Sequence, residues 1–264
     1  MHFKDKVIWI TGASSGIGEA LAYEFAKVGA QLILSSRNIK ELKRVELNCS
    51  LPNDKIIVVP LDLENHENFS NEVNKVIEKF GLIDILINNG GISSRALVKD
   101  SSLEIDKKLM NINYFGTVSL TKAVLPYMLK RKSGQIVVIS SVMGKFGTPL
   151  RSAYAASKHA LHGFFESLRL EIWKDNLNIT IICPGFIKTK VTINALTANG
   201  KPLGIMNPEQ KSGMMPDVLA KKALKAIRKK KTEVVIGGGE RIGVYAKRFY
   251  PSILNRRLRK MKFQ

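Results

Sequence analysis

Tyr154 carries a phenol that can give or take a proton, Lys158 follows it four residues later, and Ser141 lies thirteen residues before it. A pair at i, i+4 shares one helix face. An ammonium can then stand beside the phenol, and a hydroxyl from the preceding loop can bind the same substrate oxygen. The pair recurs at Tyr23 and Lys27, so that spacing alone specifies nothing. Context separates the two, for Thr11-Gly12-Ala13-Ser14-Ser15-Gly16-Ile17-Gly18 lies between an apolar run and an amphipathic stretch near the start of the chain. Such a turn lets the backbone approach a ligand closely and aims helix N-terminal amides at phosphate. A phosphate cradle combined with a proton-donating phenol points to redox chemistry on a nicotinamide dinucleotide.

A free tyrosine titrates near pH 10, so the phenol needs help to exchange protons at neutral pH. The Lys158 ammonium and an oxidised nicotinamide would both favour phenolate. Lowering the pKa by about three units takes roughly 4 kcal/mol of differential stabilisation, which close charges shielded from water can supply. In reduction, Tyr154 is expected to protonate a carbonyl oxygen that Ser141 holds, and oxidation reverses these steps. The next informative segment is Leu34-Ser35-Ser36-Arg37-Asn38. An NAD site would place an acid there against the ribose hydroxyls. Arg37 instead suits a 2′-phosphate by charge and by paired hydrogen bonds. NADP(H) is the expected cofactor, with NAD(H) as the alternative.

These residues need a scaffold, and the chain supplies an alternation of apolar runs and amphipathic stretches. Strands are expected near 7–11, 31–34, 56–60, 83–88, 135–140, 178–183 and 233–236. Helices are expected near 17–28, 39–48, 66–80, 103–130, 152–173 and 217–230, with Pro126 a candidate kink in the fourth. Right-handed crossovers stack such units into an α/β fold: a single-domain, Rossmann-type, doubly wound sheet of seven parallel strands with helices on both faces. Its ligands bind beyond the carboxyl ends of the strands, where Gly12, Asp62, Asn88, Ser141 and Pro184 all fall. The catalytic and dinucleotide-binding domain is expected to span 1–239. Within it, 184–216 lacks periodicity and carries apolar residues such as Ile193, Leu196 and Met214, which suits a lid over an apolar substrate.

At 264 residues and 45% hydrophobic composition, the chain can fill one large core. Cys49 and Cys183 have neither disulfide-framework nor zinc spacing, which favours a reducing, cytoplasmic setting. His159 and His162 share a helix face, but no carboxylate or third histidine accompanies them at ligand spacing, so no metal is expected. The charge is lopsided: 217–264 holds 15 Lys or Arg against 3 Asp or Glu, a net +12 of the chain's +20. No zinc finger, aromatic RNA-binding signature or basic zipper accompanies that excess, so nucleic acid is not an expected partner. The final segment, 240–264, mixes cations with Ile242, Tyr245, Phe249, Tyr250 and Ile253 and reads as basic amphipathic helices broken at Pro251. It suits peripheral contact with a membrane surface or, equally, packing beside the lid at the substrate entrance.

With Asn88-Asn89-Gly90-Gly91 and Asn113 added to the glycine loop, Ser141, Tyr154 and Lys158, the chain resembles the short-chain dehydrogenase/reductase family over roughly 5–236. Within it, Gly134-Gln135-Ile136-Val137, residues 155–161 and Gly163-Phe164-Phe165 look most like the dehydrogenase/reductase member 7 group. The resemblance implies a catalytic tetrad of Asn113, Ser141, Tyr154 and Lys158. In it, Lys158 also holds the nicotinamide ribose and Asn113 seats a water that links Lys158 to solvent. It further implies cofactor contacts from Gly12, Ser14, Ser15, Gly16, Ile17, Gly18, Arg37, Asp62, Leu63, Asn89, Gly90, Tyr154, Lys158, Pro184, Gly185, Ile187 and Thr189. One departure stands out, since Gly90 replaces the family's usual alanine, and an extra glycine is expected to loosen that turn. The family commonly pairs its fourth and fifth helical units across a two-fold axis, and the apolar girth of 152–173 suits a homodimer or homotetramer. The expected function is NADP(H)-linked interconversion of a carbonyl and an alcohol on a lipophilic small molecule. Reduction of oxoacyl groups on a carrier protein is the enzymatic alternative, and a dinucleotide-sensing regulator the non-enzymatic one.

Overall fold

The computed structural model describes residues 2–206 and 208–260. Asn207, inside the expected lid, and the last four residues of the basic tail lie outside the described residues. Seven parallel strands form one sheet: β1 (Val7–Thr11), β2 (Gln31–Ser35), β3 (Ile56–Val58), β4 (Ile85–Asn88), β5 (Gly134–Ile139), β6 (Leu177–Pro184) and β7 (Glu233–Ile236). Their order is β3-β2-β1-β4-β5-β6-β7. The central strands are Val/Ile-rich and buried along their length because helices cover both faces.

One core layer joins β1, β2 and β5 to α1 (Gly16–Lys27), α2 (Ile39–Asn48) and α8 (Pro216–Arg228). The other joins the opposite sheet face to α3 (Phe69–Phe80), α5 (Gly116–Lys130) and α6 (Ser152–Glu171). β1 pairs with β2 on one side and β4 on the other. That reversal opens a crevice at the carboxyl ends of β1 and β4, the place where a doubly wound sheet receives its ligand.

The expected helix over 103–130 is two helices, α4 (Leu103–Met110) and α5, joined by a π-helical turn, Asn111–Phe115. Wide turns of this kind recur at functional sites because they re-aim side chains, and this one contains Asn113. The lid segment is tied down more than its composition suggested. Leu196 bridges to Ser94 and to Pro202, Ile187 bridges to Met214, and a short α7 (Pro208–Lys211) interrupts the loop. The tail forms α9 (Glu240–Phe249) and α10 (Pro251–Lys260), with the break at Pro251. Among the described residues, no helix is long and apolar enough to cross a membrane.

Candidate active site

The crevice is a cavity of about 920 Å³ running from the glycine loop to the lid. The end where the family resemblance places the adenosine is built by the turn after β1. Gly12 and Gly16 hold positive φ angles of 64° and 61°, which side chains rarely adopt. Gly12 lies against Gly90, where a Cβ would come within 2.8 Å of the Gly90 Cα. Asn89 ties the two turns together, its Nδ2 donating to the carbonyls of Thr11 and Gly12 at 2.9 and 3.3 Å. Ser14, Ser15, Gly16, Ile17, Arg37, Asp62, Leu63, Asn89 and Gly90 line this end, Thr189 stands against Gly16, and Pro184, Gly185 and Ile187 line the same cavity. Gly18 does not reach the cavity; it lets α1 pack against the Gly12 carbonyl, where a Cβ would overlap.

Gly90 does not loosen its turn. A Cβ there would stand 2.6 Å from Leu63 Cδ1 and 3.3 Å from Thr11 Oγ1, and Thr11 Oγ1 accepts the Gly90 N–H at 2.9 Å. The glycine is packed, and the space it vacates belongs to Leu63.

Ser141, Tyr154 and Lys158 meet at the other end of the cavity. Ser141 follows β5 and caps a short 3-10 turn, accepting the Met143 N–H at 3.1 Å. Tyr154 and Lys158 lie one turn apart in α6, with the Lys158 Nζ 5.8 Å from the centre of the phenol ring. The Lys158 ammonium donates to the Ile139 carbonyl at 3.0 Å, and burial pulls its pKa down to about 8 against a smaller opposing influence of Cys183. Burial raises the pKa of Tyr154, while a hydrogen bond with Ser141 and the Arg151 charge pull it down. The expected depression by Lys158 is therefore not a property of the protein alone. Without a second positive charge the phenol stays protonated, the form a proton donor needs.

Asn113 lies behind this trio, fully buried and outside the cavity wall. Its Oδ1 accepts the Ile92 N–H at 2.8 Å, and its Nδ2 donates to the Ile92 carbonyl at 2.9 Å and to Ser157 Oγ at 3.0 Å. One Oδ1 lone pair remains. Gly91 separates Asn113 from Lys158, for a Cβ there would lie 2.9 Å from Asn113 Oδ1 and 3.8 Å from Lys158 Nζ.

Three contributors escaped the sequence reading. Arg151 is tied to the lid side, donating to Ser93 Oγ at 2.6 Å and the Ser94 carbonyl at 2.9 Å. Glu41 brings a carboxylate to the adenosine end, where Arg44 donates to it at 2.8 Å. Glu240, in the first turn of α9, accepts the N–H groups of Phe186 at 2.9 Å and Gly238 at 3.0 Å. Gly185 has no side chain there, and a Cβ would collide with that carboxylate. In the sequence only Arg151 carries a signal, its place just before the start of α6; the other two depend on chain crossings.

The sequence offers His162 no carboxylate at ligand spacing, yet the fold brings Cys183 and Glu233 to it, with ligand atoms within 4.8 Å. The geometry disfavours a metal. Cys183 Sγ lies 3.7 Å from His162 Nε2 and Glu233 Oε2 lies 3.5 Å from Nδ1, on opposite edges of the ring. Glu233 already pairs with Lys145 at 2.5 Å, and burial pushes the Cys183 thiol up to about 12, away from the thiolate a metal requires.

The family model for short chain dehydrogenases matches residues 6–199. This chain belongs to the short-chain dehydrogenase/reductase family. It is 46% identical over 240 residues to a dehydrogenase/reductase SDR family protein 7-like of Anopheles gambiae, covering 89% of this chain and 76% of that one. A short-chain dehydrogenase from Burkholderia phymatum, solved in complex with NAD, superposes with a TM-score of 0.85 at 23% identity over 96% of both chains. An alcohol dehydrogenase from Thermococcus sibiricus, complexed with 5-hydroxy-NADP, gives a TM-score of 0.75 at 25% identity, covering 89% of this chain and 97% of that one. The family's chemistry is oxidoreduction with a nicotinamide nucleotide, and the crevice fits one: a glycine turn against a helix N-terminus at one end and a buried phenol–lysine pair at the other.

Proposed function

We propose that the protein is an NADP(H)-dependent reductase that converts a carbonyl on a lipophilic small molecule to an alcohol, and can run the reverse. The observation that carries the reading is the joint placement of Ser141, Tyr154 and Lys158 on one cavity with the glycine loop. Bound NADPH supplies the hydride. The protein supplies the rest: Tyr154 donates the proton to the nascent alkoxide, Ser141 holds that oxygen, and Lys158, buried and cationic below about pH 8, lowers the cost of the phenolate left behind. Asn113 braces α6 through Ser157.

Arg37 supports NADP(H) over NAD(H), since it lines the adenosine end while Glu41, on the helix that follows it, is held by Arg44. Leu196, Ile187 and Val191 on the lid side support an apolar substrate. The test is NADPH oxidation by the purified protein over steroid, retinoid, aromatic and aliphatic ketones and aldehydes, with carrier-bound oxoacyl groups in parallel. Turnover confined to the carrier-bound set, or absent throughout, would reject the reading.

The tail supports contact with an anionic membrane surface. Ile242, Tyr245, Phe249, Tyr250 and Ile253 are exposed, while Arg248, Arg256 and Arg257 stand beside them in sequence. Liposome sedimentation at low and high salt, with and without residues 241–264, tests this. Two buried free cysteines suit a reducing compartment, the cytoplasmic side of such a membrane. Exposed Phe115, Tyr127, Leu170 and Trp173 on or beside α5 and α6 support a homo-oligomer, which sedimentation equilibrium would read.

A further inference from the structure

The turn that carries Ser141 is short, and little of its own hydrogen bonding fixes it to the sheet. Ser141–Gly144 closes on itself through the Gly144 N–H to the Ser141 carbonyl at 2.9 Å, and the Ser140 N–H reaches back to the Ile182 carbonyl at 2.8 Å. What lies underneath is His162, one turn after Lys158 on α6 and 6% exposed. Its Nε2 stands 3.0 Å from Ser140 Oγ, and the same hydroxyl lies 3.4 Å from the Lys158 carbonyl. Gly144 rests directly on this pair. A Cβ there would fall 2.6 Å from Ser140 Oγ and 2.9 Å from His162 Nε2.

The far edge of the ring is equally constrained. Nδ1 is buried, makes no hydrogen bond, and faces the carboxylates of Glu166 and Glu233 at 3.5 Å each. Nδ1 thus faces acceptors, while Nε2 stands within hydrogen-bond distance of Ser140 Oγ, which itself donates to the Lys158 carbonyl. Glu233 is in turn bound by Lys145, which ends the serine turn. Partial burial works to raise the Glu233 carboxyl, but the contacts to His162 and Lys145 outweigh it and hold it down at about 2. The chain Lys145–Glu233–His162–Ser140 thus begins and ends on the segment bearing Ser141, and is anchored between β7 and α6.

We propose that His162 is a positioning residue for the reaction, holding through Ser140, Gly144 and the Glu233–Lys145 pair the turn that aims the Ser141 hydroxyl. The inference rests on Ser141 serving the reductase chemistry proposed above. It differs from the tetrad's roles in that His162 touches neither substrate nor cofactor; it acts on the angle from which Ser141 meets the substrate oxygen. A misplaced hydrogen-bond donor costs rate without costing cofactor affinity, because the nucleotide is held elsewhere.

The experiment uses the full chain, NADPH and 9,10-phenanthrenequinone as the carbonyl probe, with backbone amide exchange as a readout that needs no substrate. His162→Leu is expected to lower kcat about ten-fold while the Kd for NADPH stays within about two-fold of wild type. His162→Gln, whose amide reaches close to the Nε2 position, is expected to recover kcat to within about three-fold. Amides of residues 142–146 should exchange about ten-fold faster in His162→Leu than in wild type or His162→Gln. If His162→Leu fails to fold, Ser140→Ala removes only the hydroxyl that joins ring to turn and is expected to show the same loss of kcat and of amide protection. Unchanged kcat and exchange, equal losses in the Leu and Gln variants, or NADPH affinity falling together with kcat would each overturn the proposal. A wild-type protein that reduces no carbonyl would sink the reductase reading instead, and amide exchange would still decide whether His162 holds the turn.

Discussion

The two ends of the crevice are built differently. The adenosine end is backbone: Gly12 against Gly90, Asn89 across both turns, and a helix N-terminus, all within segments adjacent to β1 and β4. The substrate end is assembled from distant pieces, with the serine turn braced by β7, Gly185 covered by Glu240, and Arg151 tied to the Ser93–Ser94 loop. Backbone cradles depend on few side chains and accept one kind of ligand; side-chain assemblies can change what they admit without disturbing the fold. Substitutions should accordingly separate, those at one end moving cofactor affinity and those at the other moving turnover.

The largest separation is expected at Tyr154. Tyr154→Phe deletes one oxygen and little volume, so turnover should fall by about 1,000-fold while the Kd for NADPH moves less than about two-fold. Stopped-flow hydride transfer and fluorescence titration read the two quantities, and turnover within ten-fold of wild type by any carbonyl would place the acid elsewhere. The mirror case is Arg37→Asp. It should reduce the preference for NADPH over NADH by about 100-fold in kcat/KM, leaving kcat at saturating cofactor nearly unchanged. A preference that survives would assign the 2′-phosphate to another cation.

Lys158 makes the conflict between site and stability measurable. Its folded pKa of about 8 lies below the ordinary lysine value of 10.5. Between those values the unfolded chain binds more protons than the native one, so stability contributed by this group rises as pH climbs from about 8 to 10.5 and is lowest below 8. Lys158→Met should therefore abolish turnover yet raise Tm at pH 7 by about 5 °C, with the advantage shrinking toward pH 10. Calorimetry at three pH values would detect it, and a Tm gain independent of pH would contradict the buried-charge account.

At the substrate end, Glu240→Ala frees the Phe186 and Gly238 amides and unpins the start of α9 from the lid. A fall of about five-fold in kcat/KM for the carbonyl with no change for NADPH is expected, since two amide hydrogen bonds at an exposed hinge are worth little more than 1 kcal/mol. Loss of NADPH affinity instead would show that the hinge belongs to the cofactor end.

The same division governs what the sequence disclosed. The seven strands, the glycine turn and the Ser141, Tyr154 and Lys158 set were legible because period, turn chemistry and helical spacing are local properties of the chain. The π turn at 111–115 was not, as nothing in Asn-Ile-Asn-Tyr-Phe marks one residue too many for an α-helix. Nor were Glu240 and Glu233, whose partners lie 54 and 71 residues away. What helical spacing does not show is desolvation, the leading influence on both Tyr154 and Lys158, or the bond of the Lys158 ammonium to the Ile139 carbonyl.

The smallest effect tests whether the adenosine end is a packed surface or merely a flexible one. If Gly90 were present for conformational freedom, Gly90→Ala would gain about 0.4–1 kcal/mol by restricting the unfolded chain, for Gly90 is not among the glycines with positive φ. The neighbouring Leu63 Cδ1 argues otherwise, at 2.6 Å from the added methyl. Leu63 is 8% exposed and backed by Gly116, so the methyl can be accommodated only by swinging the leucine toward the cavity. The overpacking cost of about 1–3 kcal/mol then exceeds the entropic gain, leaving a net loss of about 1 kcal/mol. Because the displaced side chain lines the adenosine end, the Kd for NADPH should rise about two- to three-fold, with kcat untouched. A stabilised variant with unaltered NADPH affinity would show that Leu63 yields freely, and that this end is set by the Gly12 and Asn89 contacts alone.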